Sequence, residues 1–222
     1  MADYTITAIE SMPFGENSYV IWRQGHSDAL VIDPGFDPRS ILEVLERHGL
    51  GLAAILNTHG HADHIAGNQA MKEAFPAAPL IIGSNEVDLL HDPQANLSAT
   101  FGLPVLSPAA DRLVRDEDQL EVAGLRFRVR EIPGHSPGSV VFICEEFAPG
   151  FVFAGDVLFA GSIGRTDLGG NLPQLLAGIR SKLLSLPDET VIYPGHGPAT
   201  TIGAERRSNP FVGEQAGFPG LR

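Results

Sequence analysis

The amino-acid sequence predicts a layered α/β domain in which two β-sheets lie in the middle and helices flank them. Two observations lead to this prediction. Short strand-like apolar runs are followed along the chain by segments of helical periodicity. The order of elements also resembles itself on either side of a proline- and serine-containing stretch at about 92–110. Because 222 residues with 43% apolar content can bury one good core, we expect a single domain of two similar halves, about 1–110 and 111–222.

The first half begins with short strands, which are followed by a helix, a buried strand and a second helix. Gly49 favours the end of the first helix, and Pro76 lies just beyond the second. The run LAAILN between them is typical of a strand buried on both faces. The predicted elements are strands 4–9, 18–23, 29–32 and 52–57 and helices 41–49 and 65–75.

The second half is richer in strands. Pro173 suits the first turn of a long helix that follows them. Periodicity does not reveal the order of strands within a sheet. The predicted elements are strands near 112–114, 118–122, 125–131, 139–144, 151–154 and 190–193 and helices 173–185 and 201–207.

Charge and composition exclude several classes of function. The formal net charge is −12 and the sequence has no Lys/Arg run, so neither a nucleic-acid backbone nor an anionic membrane is an expected partner. No window is long enough to span a bilayer, and the N-terminal segment does not resemble a signal peptide, so we expect a cytoplasmic protein. The single cysteine, Cys144, excludes an internal disulfide and is expected in the core with a protonated thiol.

The segment THGHADH, residues 58–64, carries three histidines and an aspartate between a predicted strand and a predicted helix. His59 and His61 are spaced by two, so both rings can point to one place from an extended chain. Asp63 and His64 then begin the turn into the helix and can face a neighbouring place. Imidazole and carboxylate ligands suit zinc, iron or manganese, and a structural cysteine-rich zinc site is disfavoured. A chance cluster or a helix cap explains this pattern less well than a metal site.

Further ligands are expected from later loops. His135 precedes the strand VVFIC, while Asp156 and His196 follow apolar strands. Loops that leave strands are where open α/β sheets place binding groups. Each residue alone is weak evidence, and their joint presence beside residues 59–64 is what predicts a shared site. The remaining histidines are not expected to be ligands; they are His26, His48 and His91.

Taken together, THGHADH at 58–64, GH at 134–135, GD at 155–156 and GH at 195–196 resemble the metallo-β-lactamase superfamily, with matches running from Asp33 to His196. This resemblance implies a four-layer αβ/βα sandwich with two mixed central sheets and a dinuclear metal site at one edge. In the implied ligand set, His59, His61 and His135 bind one metal, Asp63, His64 and His196 bind the other, and Asp156 bridges them.

Asp33, in LVIDPG, matches an aspartate that in this superfamily supports a ligand histidine from behind. A simple Asx-type turn with Pro34 and Gly35 explains Asp33 equally well from the sequence alone.

The implied cofactors are two divalent metal ions, with zinc favoured and iron or manganese also compatible. Two such ions can hold a hydroxide between them, since the pKa of metal-bound water falls towards about 7. The catalytic group is then this hydroxide, held by Asp156 with the help of Asp63 and of Asp33 behind the ligands. No serine or cysteine nucleophile is needed.

The strings GDVLFAGSIGRTDLGGN (155–171) and ERRSNPF (205–211) resemble the glyoxalase II group and its short relatives. The implied reaction is hydrolysis of small-molecule glutathione thioesters such as S-D-lactoylglutathione. Two departures mark a divergent or truncated member. Full-length glyoxalase II has a helical extension with basic residues, whereas no Lys or Arg follows Phe211 here until Arg222. The residue between the first two histidines is Gly60, where those enzymes usually have histidine.

Two other functions are considered. Persulfide dioxygenases share the fold and the string GRTD, found here at 164–167, and hold a single iron through residues equivalent to His59, His135 and Asp156. A non-catalytic metal-binding module is disfavoured because all seven ligand positions are present. Arg165 is expected to pair with Asp167 rather than to act in catalysis. Loops 11–17 and 160–171 are expected to shape the pocket, and no feature of the sequence fixes the oligomeric state.

Overall fold

The computed structural model describes residues 3–214 and residue 216. The first of its two large sheets has six strands in the order β1-β2-β3-β4-β5-β6. The first three are antiparallel neighbours, and the remaining pairs are parallel. The strands are β1 (Tyr4–Ser11), β2 (Glu16–Arg23), β3 (Asp28–Ile32), β4 (Gly51–Asn57), β5 (Leu80–Gly83) and β6 (Arg112–Val114).

The second sheet also has six strands, in the order β14-β13-β10-β9-β8-β7. Its β10–β13 pair is parallel and its other pairs are antiparallel, so this sheet is mixed as well. A two-stranded hairpin, β11 and β12, follows β10. The strands are β7 (Gln119–Val122), β8 (Leu125–Glu131), β9 (Val140–Cys144), β10 (Phe151–Gly155), β11 (Leu158–Phe159), β12 (Ser162–Ile163), β13 (Val191–Pro194) and β14 (Thr200–Thr201).

The helices flank the two sheets and complete the four layers. One apolar cluster fills the space between the sheets and includes Phe127, Phe142 and Phe153, all fully buried. A second cluster packs helices α4 (Leu172–Gly178) and α5 (Ile202–Ser208) on the outer face of the second sheet. A third packs helices α1 (Pro38–His48) and α3 (Asn68–Ala74) on the first sheet. The predicted layered α/β sandwich with two mixed sheets is therefore confirmed.

Most predicted elements form, with some differences at their ends. Helix α1 begins at Pro38, three residues earlier than predicted, because Asp37 caps it by accepting a hydrogen bond from the amide of Ser40 at 3.2 Å. It ends where Gly49 adopts a left-handed conformation, as expected. The helix predicted at 173–185 is α-helical only to Gly178 and continues as a π-helical segment over Ile179–Leu183.

The helix predicted at 65–75 is wrong as a single element. A short helix α2 (Ala62–Ile65) and helix α3 replace it, and Gly67 lies between them. An added Cβ at Gly67 would lie 2.8 Å from the carbonyl oxygen of Gly35 and 2.9 Å from that of Pro34, so the chain passes tightly against another loop here. Strand β5 (Leu80–Gly83) was not predicted, because four apolar residues after two prolines are too short to give a clear period.

Strand β6 (Arg112–Val114) pairs with β5 and so belongs to the first sheet. The division into similar halves near residue 110 stays a prediction. Among the described residues, no helix is long and apolar enough to cross a membrane.

Candidate metal centre

The chain brings the polar residues predicted for the site together where several strands end. Asp33 follows β3, the segment 58–61 follows β4, Asp156 follows β10 and His196 follows β13. His135 lies in the loop before β9. Because these strands come from both sheets, the site lies across the edge of the sandwich.

His59, His61 and His135 form one group of converging ring nitrogens. Nδ1 of His61 lies 3.1 Å from Nε2 of His59 and 2.9 Å from Nε2 of His135. Two of these rings are oriented through their other nitrogen: Nδ1 of His59 lies 3.1 Å from Thr58 Oγ1, and Nδ1 of His135 donates to the carbonyl of Arg165 at 2.8 Å. Such contacts fix the tautomer and direct the remaining lone pair of each ring towards the shared point.

Asp63, His64 and His196 form a second group, whose ligand-type atoms lie within 4.8 Å of one another. Nε2 of His196 lies 3.3 Å from Asp63 Oδ2, and Nε2 of His64 lies 3.9 Å from the same oxygen. The other nitrogen of His196 donates to the carbonyl of Gly15 at 3.1 Å. The loop that carries Gly15 therefore helps to orient a histidine of the site.

The carboxylate of Asp156 lies between the two groups. Its Oδ1 is 3.4 Å from Nε2 of His64, and its Oδ2 is 3.5 Å from Nε2 of His135 and 3.6 Å from Nε2 of His196. One side chain thus faces histidines of both groups. An added Cβ at Gly195 would lie 2.3 Å from Asp156 Oδ1, so only glycine leaves room for the carboxylate here.

Asp33 lies behind the histidines. Its carboxylate accepts hydrogen bonds from the amide of Thr58 at 2.7 Å, from Thr58 Oγ1 at 2.6 Å and from Nδ1 of His64 at 3.0 Å. Asp33 itself has a φ of 47°, which is uncommon for a residue with a side chain. These contacts tie the end of β3 to the loop after β4, which a local turn would not do.

The surroundings of two residues in the first group, His59 and His61, favour neutral imidazoles. Burial lowers the pKa of His59 and His61, the neighbouring histidines lower it further, and the pKa of His61 falls to about 3. A neutral ring is the form of histidine that binds a metal. His59 and His61 can therefore offer nitrogen lone pairs at neutral pH.

The second group has the opposite balance. Burial lowers the pKa of His64, but the carboxylates of Asp156 and Asp63 outweigh burial and raise the pKa well above its usual value. Burial raises the pKa of Asp156, yet the histidines around it hold that pKa below its ordinary range. This part of the site therefore favours positive charge, whether protons or a metal cation supply it.

Two buried atoms indicate that a cation fits between the groups. Neither Nε2 of His64 nor Oδ1 of Asp156 makes a well-formed hydrogen bond with the described part of the chain. Buried polar atoms without partners are costly, and each can be satisfied by a metal ion. The donor set of imidazoles and carboxylates suits divalent transition metals.

Sequence reasoning missed Glu86, which is fully buried beside the first group. Its carboxylate accepts hydrogen bonds from the amide of Gly60 at 2.8 Å, from Ser136 Oγ at 2.7 Å and from the amide of Gly138 at 2.5 Å. Glu86 therefore joins the loop of His59 and His61 to the loop of His135. No motif marks it, and a glutamate in a polar turn after a strand normally faces solvent.

Gly60 also has a structural explanation. An added Cβ there would lie 2.5 Å from the Cβ of Leu89. The space that a larger residue needs at this position is thus filled by Leu89, which agrees with glycine replacing the histidine expected from the resemblance.

A cavity of about 350 Å³ opens directly over the two groups. The expected loops do line it: Phe14 comes from loop 11–17, and Ser162, Arg165 and Leu168 come from loop 160–171. Residues Asn96, Leu97 and Phe101 also line it, although the sequence suggested only a connection between halves there. A cavity of this size is typical of a site for small molecules.

An αβ/βα sandwich with histidines and aspartates converging at its edge defines a class of proteins built to hold divalent metals beside a small-molecule cavity. The chain belongs to the metallo-beta-lactamase superfamily, whose family model matches residues 12–196.

Relatives cover nearly the whole chain. Hydroxyacylglutathione hydrolase GloC from Haemophilus influenzae is 39% identical over 215 residues, which are 94% of this chain and 99% of the relative. The crystal structure of BLEG-1 B3 metallo-beta-lactamase has a TM-score of 0.89 and 40% identity, covering 94% of this chain and 99% of that one. The crystal structure of TTHA1623 in a di-iron-bound form has a TM-score of 0.82 and 37% identity, covering 93% of this chain and 100% of that one. The crystal structure of ETHE1 from Myxococcus xanthus has a TM-score of 0.78 and 30% identity, covering 96% of this chain and 85% of that one.

Proposed function

We propose that this protein hydrolyses thioesters with the help of two divalent metal ions, held by His59, His61 and His135 on one side and by Asp63, His64 and His196 on the other. The observation that carries the proposal is the position of Asp156, whose two carboxylate oxygens face histidines of both groups at 3.4–3.6 Å. A single carboxylate so placed is suited to bridge two cations.

Bound divalent cations would supply a nucleophilic hydroxide at neutral pH and polarise the thioester carbonyl. The chain's own residues hold the arrangement in place. Asp33 accepts the Nδ1 proton of His64 and so leaves Nε2 of that ring free to bind. Thr58 links Asp33 to His59, while the carbonyls of Arg165 and Gly15 orient His135 and His196.

Glutathione thioesters such as S-D-lactoylglutathione are the proposed substrates. The similarity to GloC at 39% identity supports this, as does the likeness of residues 155–171 to the glyoxalase II group. The cavity over the site is of a size that suits a small molecule. Zinc is the favoured metal, although a related structure is in a di-iron-bound form.

A persulfide dioxygenase is the second candidate. Nε2 of His135 lies 3.5 Å from Asp156 Oδ2, and His59 belongs to the same group, so two histidines and one carboxylate could hold a single ferrous ion. The GRTD string at 164–167 and the similarity to ETHE1 also support this candidate.

The two candidates are separated by one experiment. Thiol release from S-D-lactoylglutathione is measured aerobically and anaerobically on purified protein whose metals are quantified in the same sample. Turnover that is independent of oxygen, with about two metals per chain, is the result expected for the hydrolase. Absence of thiol release, together with about one iron per chain and oxygen consumption on glutathione persulfide, would replace it by the dioxygenase.

A further inference from the structure

Four of the apolar side chains that line the cavity come from three separate segments: Phe14, Leu97, Phe101 and Leu168. We name this set the apolar wall. The rings of Phe14 and Phe101 meet edge to face, with centroids 5.2 Å apart. Phe101 is 53% exposed and Leu168 is 44% exposed, although both are large apolar residues. Exposed apolar groups that line a cavity indicate a ligand-binding surface.

The segment that carries Leu97 and Phe101 is held firmly in an unfavourable conformation. Leu97 has a φ of 69°, which costs free energy in a residue other than glycine. The buried side chain of Asn96 compensates by donating to the carbonyls of Leu89 and Val105, both at 3.0 Å, while its oxygen accepts from Ser98. Strain of this kind persists only where the surroundings impose it, and it is concentrated at functional sites.

The same segment is tied to the metal centre. The amide of Ala62, between His61 and Asp63, donates to the carbonyl of Asn96 at 3.0 Å. The apolar wall is therefore set at a fixed position relative to the predicted ligands rather than on an independent loop.

Cationic side chains other than the predicted ligand histidines are scarce among the described residues that line this cavity. Among its described lining residues, the only Lys or Arg is Arg165. Its Nε and Nη2 donate to the two carboxylate oxygens of Asp167 at 2.8 and 2.7 Å. The side-chain amide of Asn96 is already used in hydrogen bonds to the carbonyls of Leu89 and Val105. Apart from the predicted ligands, the only cation that these residues offer to the two carboxylates of glutathione is a guanidinium already paired with Asp167.

We propose that the apolar wall binds the acyl group of the substrate, so that thioesters of apolar acyl groups are preferred and the charges of glutathione contribute little to recognition. This inference rests on the proposed thioester hydrolysis. The reacting carbonyl must lie at the predicted ligands, which line the same cavity as the apolar wall, and the acyl substituent is bonded directly to that carbonyl. The carboxylates of glutathione are many bonds further from that carbonyl.

The test compares four thioesters on the metal-loaded protein. These are the S-lactoyl and S-phenylacetyl derivatives of glutathione and the same two derivatives of neutral N-acetylcysteamine. Each rate is divided by the rate of alkaline hydrolysis of the same compound. The phenylacetyl esters are expected to show a kcat/KM about tenfold above the lactoyl esters on either thiol, because one ring gains burial. Replacing glutathione by N-acetylcysteamine is expected to change kcat/KM by less than about threefold.

Phe101→Ala identifies the wall as the source of the preference. This variant should lose more kcat/KM for the phenylacetyl thioesters than for the lactoyl thioesters, so the ratio between the two acyl groups should fall by about tenfold. Leu113→Ala is the matched control, since Leu113 is a 45% exposed apolar residue on strand β6 that does not line the cavity. It should leave the ratio of the two acyl groups unchanged.

The outcomes separate the two proposals. Efficient hydrolysis of lactoylglutathione, with a much lower kcat/KM for the phenylacetyl thioesters or for the N-acetylcysteamine thioesters, would overturn the inference. Thioester hydrolysis itself would then still stand. Equal loss on both acyl groups in Phe101→Ala would also overturn it. Hydrolysis of none of the four thioesters would instead remove the proposed function itself.

Discussion

The carboxylate of Glu86 accepts a 2.8 Å hydrogen bond from the amide of Gly60, the residue between His59 and His61. Its other oxygen accepts hydrogen bonds from Ser136 and Gly138, one and three residues after His135. All three donors lie within three residues of a predicted ligand. The buried Glu86 therefore fixes the positions of two loops of the three-histidine group relative to each other. Three donors on one buried carboxylate are a strong and directional constraint.

Replacing Glu86 by glutamine is expected to weaken metal binding at the three-histidine group by about 10–100-fold. Both carboxylate oxygens face hydrogen donors, so the new amide nitrogen must oppose either Gly60 or the donors from Ser136 and Gly138. Chelator competition measures the affinity, and the absorption spectrum of the cobalt-substituted protein reports the ligand geometry.

Glu205→Gln is the matched control for this experiment. Glu205 is 3% exposed and accepts hydrogen bonds from the amide of Gly161, from Thr200 Oγ1 and from Asn209 Nδ2, none of which belongs to a predicted ligand. We expect a similar loss of thermal stability with unchanged metal affinity. If the cobalt spectrum and affinity of Glu86→Gln match those of the wild type, the positioning role is excluded.

Replacing Asp156 by alanine is expected to abolish thioester hydrolysis and to loosen both metals, since one carboxylate faces both groups. Metal content after dialysis and residual turnover measure this. Asp167→Ala serves as the control for metal content, because Asp167 is an exposed aspartate that pairs with Arg165. Two tightly bound metals with full turnover in the Asp156 variant would contradict the dinuclear assignment.

Adding a side chain at Gly60 is expected to destabilise the protein. The new Cβ would lie 2.5 Å from the Cβ of Leu89, and overpacking of this kind costs about 1–3 kcal/mol. Thermal and denaturant unfolding of Gly60→Ala measure the loss. Because the contact is with a Cβ, Leu89→Gly should relieve it and Leu89→Ala should not. The double variant Gly60→Ala with Leu89→Gly is therefore expected to lose less stability than the sum of the two single losses. Strict additivity would show that the two residues do not compete for space.

Cys144 is expected to be unreactive in the folded protein. It is fully buried, and burial raises the pKa of its thiol to about 12. Since the raised pKa keeps the thiol protonated, only about one molecule in ten thousand carries a thiolate at pH 8, against about a quarter for an ordinary cysteine. A thiol-specific chromogenic reagent should label one cysteine per chain only after denaturation. Rapid labelling of the native protein at pH 8 would contradict this expectation and show that the end of strand β9 opens to solvent.

Much of the fold could be predicted because its signals are local. The end of helix α1 at Gly49 and the apolar run of β4 depend on neighbours within a few residues. The predicted site residues also belong to short motifs at strand ends, and the structure brings all eight of them together. Their assignment as metal ligands stays a prediction that the experiments above test.

The sequence by itself determined which chemical groups this protein can present, since a run such as THGHADH specifies ligand types and their local spacing. Only the tertiary structure decided what surrounds them. The order of the strands, the membership of β6 in the first sheet and the contact of Glu86 with residues 26 to 52 positions away are long-range pairings. The left-handed backbone of Leu97 likewise depends on a buried asparagine network. Periodicity and local propensity carry no information about which distant segment meets which, because that choice minimises the free energy of the whole packed chain.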